Sequence, residues 1–212
     1  MKEIISFIAN LIVFTMLAVG FVLMMKEGEK GRKLLHLKKC LRFFTVLSNI
    51  FAGLAALVYA IALIPVLAGS AAGVPHWIFI VKYVSAAAVG LTFLTVMAFL
   101  GPKNGYGKMF NNANMLFHLL LPLASMLSFM LCDHGSAMSF PETLFAVLPS
   151  LIYSAFYMGN ILKNGVGEGD DTRDWYGYLT WGWPVGIAIA VVTIAATWGL
   201  GVAMRAINMI TG

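Results

Sequence analysis

A chain of 212 residues that is 60% hydrophobic and 11% charged, with mean hydropathy +0.88, does not have the make-up of a soluble domain, where about a quarter of residues are charged. Its apolar runs approach the ~20 residues a helix needs to cross a bilayer, and the short alternating strands of a barrel are missing, so the expected fold is an all-α integral membrane protein, a single bundle of six transmembrane helices over residues 1–212. The net charge of +5 does not point to nucleic acid, because half of the 14 Lys and Arg residues fall between Lys26 and Arg42, as in a membrane-surface loop.

The first span is expected at about 4–25. Ala18-Val19-Gly20 offers the small residues of a cleavage site, but the apolar run continues to Met25 and a basic loop follows, so the span is read as retained. The second span, about 43–67, follows Lys38, Lys39 and Arg42. Near its start Thr45, Ser48 and Asn49 are spaced i, i+3 and i+4, which puts three polar side chains on one helix face just inside the membrane. The turn 69–75 has no Lys or Arg. The third span, about 77–100, is expected to stop at Gly101-Pro102. Lys82, the one base within a span, reads as an anchor that snorkels to the nearer surface.

A polar, glycine-rich loop covers 103–112, and the fourth span follows at about 113–132. Asn111, Asn114 or Met115, His118, Pro122 and Ser125 lie along one of its sides, and Pro122 deprives the His118 carbonyl of its usual amide partner. The fifth span, about 142–162, starts behind Pro141 as a first-turn proline. It carries Ser150, Tyr153 or Ser154, Tyr157 and Asn160 on one side, either as packing residues or as the lining of a lipid pocket. An acidic loop and the aromatics Trp175, Tyr176 and Tyr178, suited to a water–lipid boundary, precede the sixth span at about 181–207.

The loops between spans one and two, three and four, and five and six hold most of the Lys and Arg residues. The other side has only Lys2, Lys82 and Arg205, so both termini are expected outside the cytoplasm, at the plasma membrane if the chain is bacterial. This places Cys40 and Cys132 on opposite sides and excludes a disulfide within the chain. All nine acidic residues lie outside the spans or at their ends, which argues against ion-coupled transport. No zinc-protease, nucleophile-elbow or paired Cys/His motif occurs, so neither a metal nor a cofactor is expected, and His76 with His134 is only a remote metal pair.

Thr45 and His118 each lie a few residues past the start of a span that enters from the same side. At about 1.5 Å rise per residue, both side chains sit within about 10 Å of one interface. From the residues alone, Asn114 and His118 fit two descriptions. One is interhelical contacts worth about 0.6 kcal/mol each; the other is a functional site, the default for an ionisable residue in a span.

The run Phe43-Phe44-Thr45-Val46-Leu47-Ser48-Asn49 resembles the F-T-x-x-S-N signature of the androgen-induced-gene and androgen-dependent TFPI-regulating protein family, which has bacterial members. Asn114-Met115-Leu116-Phe117-His118 with Pro122 resembles that family's N/D-x-x-x-H…P run. Trp175-Tyr176-Gly177-Tyr178-Leu179 is similar to its W-x-Y-P-F/Y-L segment, although the proline is absent here or displaced to Pro184. The resemblance covers most of the chain in order and in span number. It implies a multi-pass hydrolase of fatty acid esters of hydroxy fatty acids, or similar acyl esters, with Thr45 as nucleophile and His118 as base. A threonine hydroxyl needs such a base to take its proton, and a neutral histidine can do so near neutral pH. Ser48 and Asn49 are the expected oxyanion donors and Asn114 the group orienting the ring. Ser125, Ser154, Tyr157, Asn160, Trp175 and Tyr178 are candidates to line the acyl pocket. The expected partners are a lipid or acyl-ester substrate and the bilayer itself. A small passive transporter or channel, or a non-catalytic membrane assembly protein, is the alternative.

Overall fold

The computed structural model describes residues 1–27, 33–135, 137–169 and 172–211. The glycine-rich middle of the basic loop and Asp170-Asp171 of the acidic loop lie outside the described residues. Six helices are long and apolar enough to cross a membrane: Lys2–Lys26, Phe44–Leu67, His76–Asn104, Ala113–Leu131, Pro141–Asn164 and Trp183–Thr211. No strand occurs among the described residues. The chain is an all-α, multi-pass membrane protein. A short helix, Lys33–Cys40, joins the first two spans. The ends of the bundle are called here the loop end, with the basic and acidic loops, and the terminal end, with both chain termini.

The third span is the axis of the bundle. Its most apolar window is 61% buried, against 17–39% for the other five. Every residue from Lys82 to Thr92 is buried, and small side chains let the neighbouring helices close in. A Cβ added to Gly90 would lie 2.4 Å from the Leu200 side chain, and one added to Gly201 of the sixth span would lie 2.3 Å from the Tyr83 hydroxyl. At the terminal end the core is aromatic, with Tyr59, Phe79, Tyr83 and Phe129 fully or almost fully buried. At the loop end it is aliphatic, built from Val13, Leu17, Val46, Val89 and Leu121 around Phe117.

Two spans carry the same irregularity, and both cases follow from a proline. In the fourth span residues Leu116–Leu120 form a π turn, and the Leu121 N–H is given to the Leu116 carbonyl. Pro122 has no N–H, so the Phe117 carbonyl is left without a donor from its own helix. The Asn49 side-chain amide supplies one at 2.9 Å. In the third span Val96–Leu100 form a π turn, the Gly101 N–H goes to Val96, and Pro102 deprives Met97. There the Tyr106 hydroxyl donates to the Met97 carbonyl at 2.8 Å. Gly101-Pro102 therefore does not end the third span, which continues to Asn104. A π turn accommodates the proline, and the ring of Tyr106 lies where a Cβ on Gly101 would be. In the fourth span the carbonyl that gains an outside partner is that of Phe117, one residue before the His118 carbonyl expected from the sequence.

Candidate functional site

The second span begins without a side-chain cap of its own. A helix start leaves several amides without partners. Here the Phe44 N–H donates to the Tyr176 hydroxyl at 2.8 Å, so a phenol from the last loop serves as the cap. Tyr176 is held in place by Asp174. The Asp174 carboxylate accepts from the N–H groups of Tyr178 and Leu179 at 2.8 and 2.9 Å, and from the Tyr157 hydroxyl. Tyr157 in turn accepts the Tyr176 N–H at 3.2 Å. Tyr153 donates to the Arg42 carbonyl at 2.7 Å and accepts from the Trp175 indole at 2.9 Å. Burial pushes the Tyr176 phenol well above its ordinary range and raises that of Tyr178, so both stay neutral. The Arg42 guanidinium sits over the rings of Phe43 and Trp175, at 5.2 and 5.3 Å. An aromatic cage thus clamps the end of the helix that carries Thr45.

The half-buried Thr45 sits in the second residue of this helix. Its carbonyl accepts from the Ser48 hydroxyl at 3.1 Å and from the Asn49 amide at 2.7 Å. Its hydroxyl and its backbone N–H have no hydrogen-bond partner among the described residues. Ser48 also meets the Thr92 hydroxyl at 2.9 Å on the third span. Both amide hydrogens of Asn49 are committed, one to the Thr45 carbonyl and one to that of Phe117. Asn49 therefore suits the orienting role and not that of an oxyanion donor. Because Thr45 and Asn49 are four apart, they share the face turned towards the fourth span.

His118 lies in the middle of the π turn. Its Nδ1–H donates to the Met109 carbonyl at 2.9 Å. A carbonyl only accepts, so this bond puts the proton of the neutral ring on Nδ1 and leaves Nε2 with its lone pair. The ring is drawn back towards the loop end, the level at which Thr45 lies. The chain reverses at Asn112, whose φ of 48° is the one left-handed non-glycine conformation described, and this turn returns Met109 to His118. Asn114 is exposed and does not hold the ring; a backbone carbonyl does. Thr45 and His118 share no hydrogen bond among the described residues.

A cavity of about 470 Å³ lies between the second and fifth spans, on the other side of the Thr45 helix. Arg42, Phe44, Ser48, Phe51, Tyr153 and Phe156 are among its walls. Neither Thr45 nor His118 lines it. The expected pocket residues stand elsewhere. Tyr157, Trp175 and Tyr178 belong to the cage. Asn160 accepts from Asn164 at 2.8 Å on an exposed face, Ser154 is half-buried away from the cavity walls, and Ser125 is fully buried.

Lys82 is not a lipid anchor. It is completely buried, with Nζ 3.6 Å from the equally buried Asp133 carboxylate. His76 pairs with Glu142 at 2.5 Å, and no group of three or more metal-ligating side chains forms among the described residues. Cys40 and Cys132 form no disulfide among the described residues.

Comparison of the chain with protein-family models, with curated proteins and with solved structures finds no match in any of the three.

Proposed function

We propose that this protein is an intramembrane lipid-ester hydrolase in which Thr45 is the nucleophile and His118 the base. The observation that carries the reading is the double hold of Asn49, which fastens the Thr45 carbonyl and the Phe117 carbonyl to one side-chain amide. Its two bonds link the turn bearing a hydroxyl without a partner to the turn bearing an imidazole whose Nε2 is a free acceptor. Nucleophile–base contacts are often loose until substrate is present.

In the proposed reaction His118 Nε2 takes the Thr45 hydroxyl proton as Oγ1 bonds to the ester carbonyl carbon. The tetrahedral oxyanion needs donors preset for it. The unpaired Thr45 N–H, at a helix N-terminus, is one such donor. The carbon–oxygen bond to the alcohol then breaks and the alcohol leaves with the proton from His118. Water, deprotonated by the same ring, releases the acid and restores Thr45.

The test uses purified full chain in detergent. Thr45→Ala and His118→Ala should each abolish hydrolysis of long-chain acyl esters and labelling by a fluorophosphonate probe, with unchanged thermal unfolding, while Thr45→Ser should keep both. Undiminished labelling in both alanine variants would remove the proposal.

A further inference from the structure

The second and fifth spans turn matching faces towards each other without packing. On the second span Phe44, Leu47, Ser48 and Phe51 follow the spacing i, i+3, i+4, i+7. On the fifth, Pro149, Ile152, Tyr153 and Phe156 repeat it. These two faces are the sides of the cavity of about 470 Å³. They meet where the Phe44 and Tyr153 rings lie 5.2 Å apart and the Tyr153 hydroxyl reaches the Arg42 carbonyl. Elsewhere the two helices scarcely touch. Protein interiors are packed with few voids, and an opening of this size is in the range of ligand pockets, about 300–1,000 Å³. Leu47, Ile152 and Phe156 on its walls are 39%, 66% and 59% exposed within membrane-crossing helices, so the opening faces hydrocarbon.

Only one group on these walls is ionised. Arg42 immediately precedes the second span at the loop end. Its guanidinium stands over the rings of Phe43 and Trp175, and its Nε is buried without a hydrogen-bond partner. No carboxylate pairs with it among the described residues. Asp174, in the cage beside it, is committed to the Tyr178 and Leu179 N–H groups and the Tyr157 hydroxyl. The other polar groups on the walls are also committed. The Ser48 hydroxyl is shared between the Thr45 carbonyl and Thr92, and that of Tyr153 between the Arg42 carbonyl and the Trp175 indole.

The slot is therefore amphiphilic along its length. A cation lacking a counter-charge stands at the water–lipid boundary, and apolar walls run inward from it for about 10 Å, from Phe44 to Phe51 at about 1.5 Å per residue. An anionic head group with a hydrocarbon chain has the complementary order. A guanidinium pairs with phosphate oxygens two at a time, and basic groups at this level recognise anionic lipids.

We propose that the slot between the second and fifth spans holds one anionic phospholipid of the leaflet at the loop end, its phosphate on Arg42 and an acyl chain between the two faces. The lipid supplies the packing that the two helices lack. A zwitterionic lipid fits the same walls, but its own ammonium group offsets the charge that Arg42 selects. Neither Thr45 nor His118 lines the slot, so the site stands whether or not they form a catalytic pair.

The test offers the purified full chain in detergent phosphatidylglycerol or phosphatidylcholine with identical acyl chains. Bound lipid is counted by native mass spectrometry, and thermal unfolding is followed alongside. One phosphatidylglycerol per chain should bind at least tenfold more tightly than phosphatidylcholine and raise the unfolding midpoint saturably. Arg42→Gln should bring phosphatidylglycerol down to the level of phosphatidylcholine. Ile152→Trp, at an exposed position on the wall, should weaken binding of both lipids with Arg42 intact. Lys38→Gln combined with Lys39→Gln, two exposed positions of the short helix, should leave the preference unchanged. Equal retention of the two lipids by the unmodified protein, or retention of neither, would overturn the site. So would a preference that survives Arg42→Gln or disappears with the two lysines.

Discussion

Asn49 and Phe117, on different spans, are joined by a hydrogen bond of 2.9 Å from a side-chain amide to a main-chain carbonyl. The bond exists because a π turn and Pro122 together leave that carbonyl without a donor. Asn49→Leu, close in volume, should leave the Phe117 carbonyl without a donor and the Thr45 carbonyl with the Ser48 hydroxyl but not the amide. A buried acceptor left unsatisfied costs about 1–3 kcal/mol. The expected result is a lower unfolding midpoint, with fluorophosphonate labelling of Thr45 down at least tenfold. Asn49→Asp should be no better, because a carboxylate has no hydrogen to give to either carbonyl. Denaturation curves and labelling rates on the same preparations check both effects.

Pro122→Ala should separate stability from activity. The new N–H would offer the Phe117 or His118 carbonyl a partner within the helix and favour an ordinary α turn. Proline in a helix interior costs about 3 kcal/mol, so the variant should unfold no more easily than the parent. Closing the π turn removes one residue from that turn, which swings His118 around the helix axis and away from the Met109 carbonyl. Labelling and ester hydrolysis should fall at least tenfold with the midpoint held or raised. A variant as active as the parent would show that the π turn does not position His118.

The apolar lengths were enough to place the six spans, because a bilayer thickness translates directly into residues. The spacing of Thr45, Ser48 and Asn49 was readable as one polar patch, and the Ser48 and Asn49 side chains both return to the Thr45 carbonyl. Four features had no signature of that kind. The Met109 carbonyl that orients His118 is backbone, and any residue supplies one. The Tyr176 cap reaches Phe44 across 132 positions. Asp133 looks like a loop residue at the end of a span, yet Ser6 and Asn10 of the first span bond to it and Lys82 of the third pairs with it, so no count of charges within spans reveals it. Gly101-Pro102 looks like a stop, but a tyrosine five positions after the glycine takes up the stranded carbonyl. In each case the deciding group lies outside the local window in which periodicity operates.

The aromatic cage predicts a graded series. Tyr176→Phe removes the acceptor of the Phe44 N–H and should cost about 1 kcal/mol, the usual net worth of one hydrogen bond. Asp174→Asn weakens the bonds to the Tyr178 and Leu179 N–H groups and to the Tyr157 hydroxyl at once. Bonds to a charged acceptor are worth about 1.5–3 kcal/mol each, so Asp174→Asn should be the more damaging change. Both should loosen the start of the second span, read as faster amide hydrogen exchange over residues 43–47. Equal, negligible effects would mean that the loop rests on the bundle without holding it.

Cys132 tests the orientation expected from the basic loops. It lies at the terminal end, on the wall of a crevice that Glu3, Ser6 and His134 also line, and is partly accessible. A membrane-impermeant maleimide added to intact cells should modify Cys132 in a Cys40→Ser background and leave Cys40 untouched in a Cys132→Ser background. The rate should also carry a pH signature. Burial first, and the Asp133 carboxylate second, push the Cys132 thiol above its ordinary range. Only the thiolate reacts, so at pH 7 the reaction should be slower than with a free thiol and should keep accelerating at pH values beyond about 8.5, where an ordinary thiol begins to level off. Labelling of Cys40 in place of Cys132 would reverse the membrane orientation, and the crevice and its buried Lys82–Asp133 pair would then open to the cytoplasm.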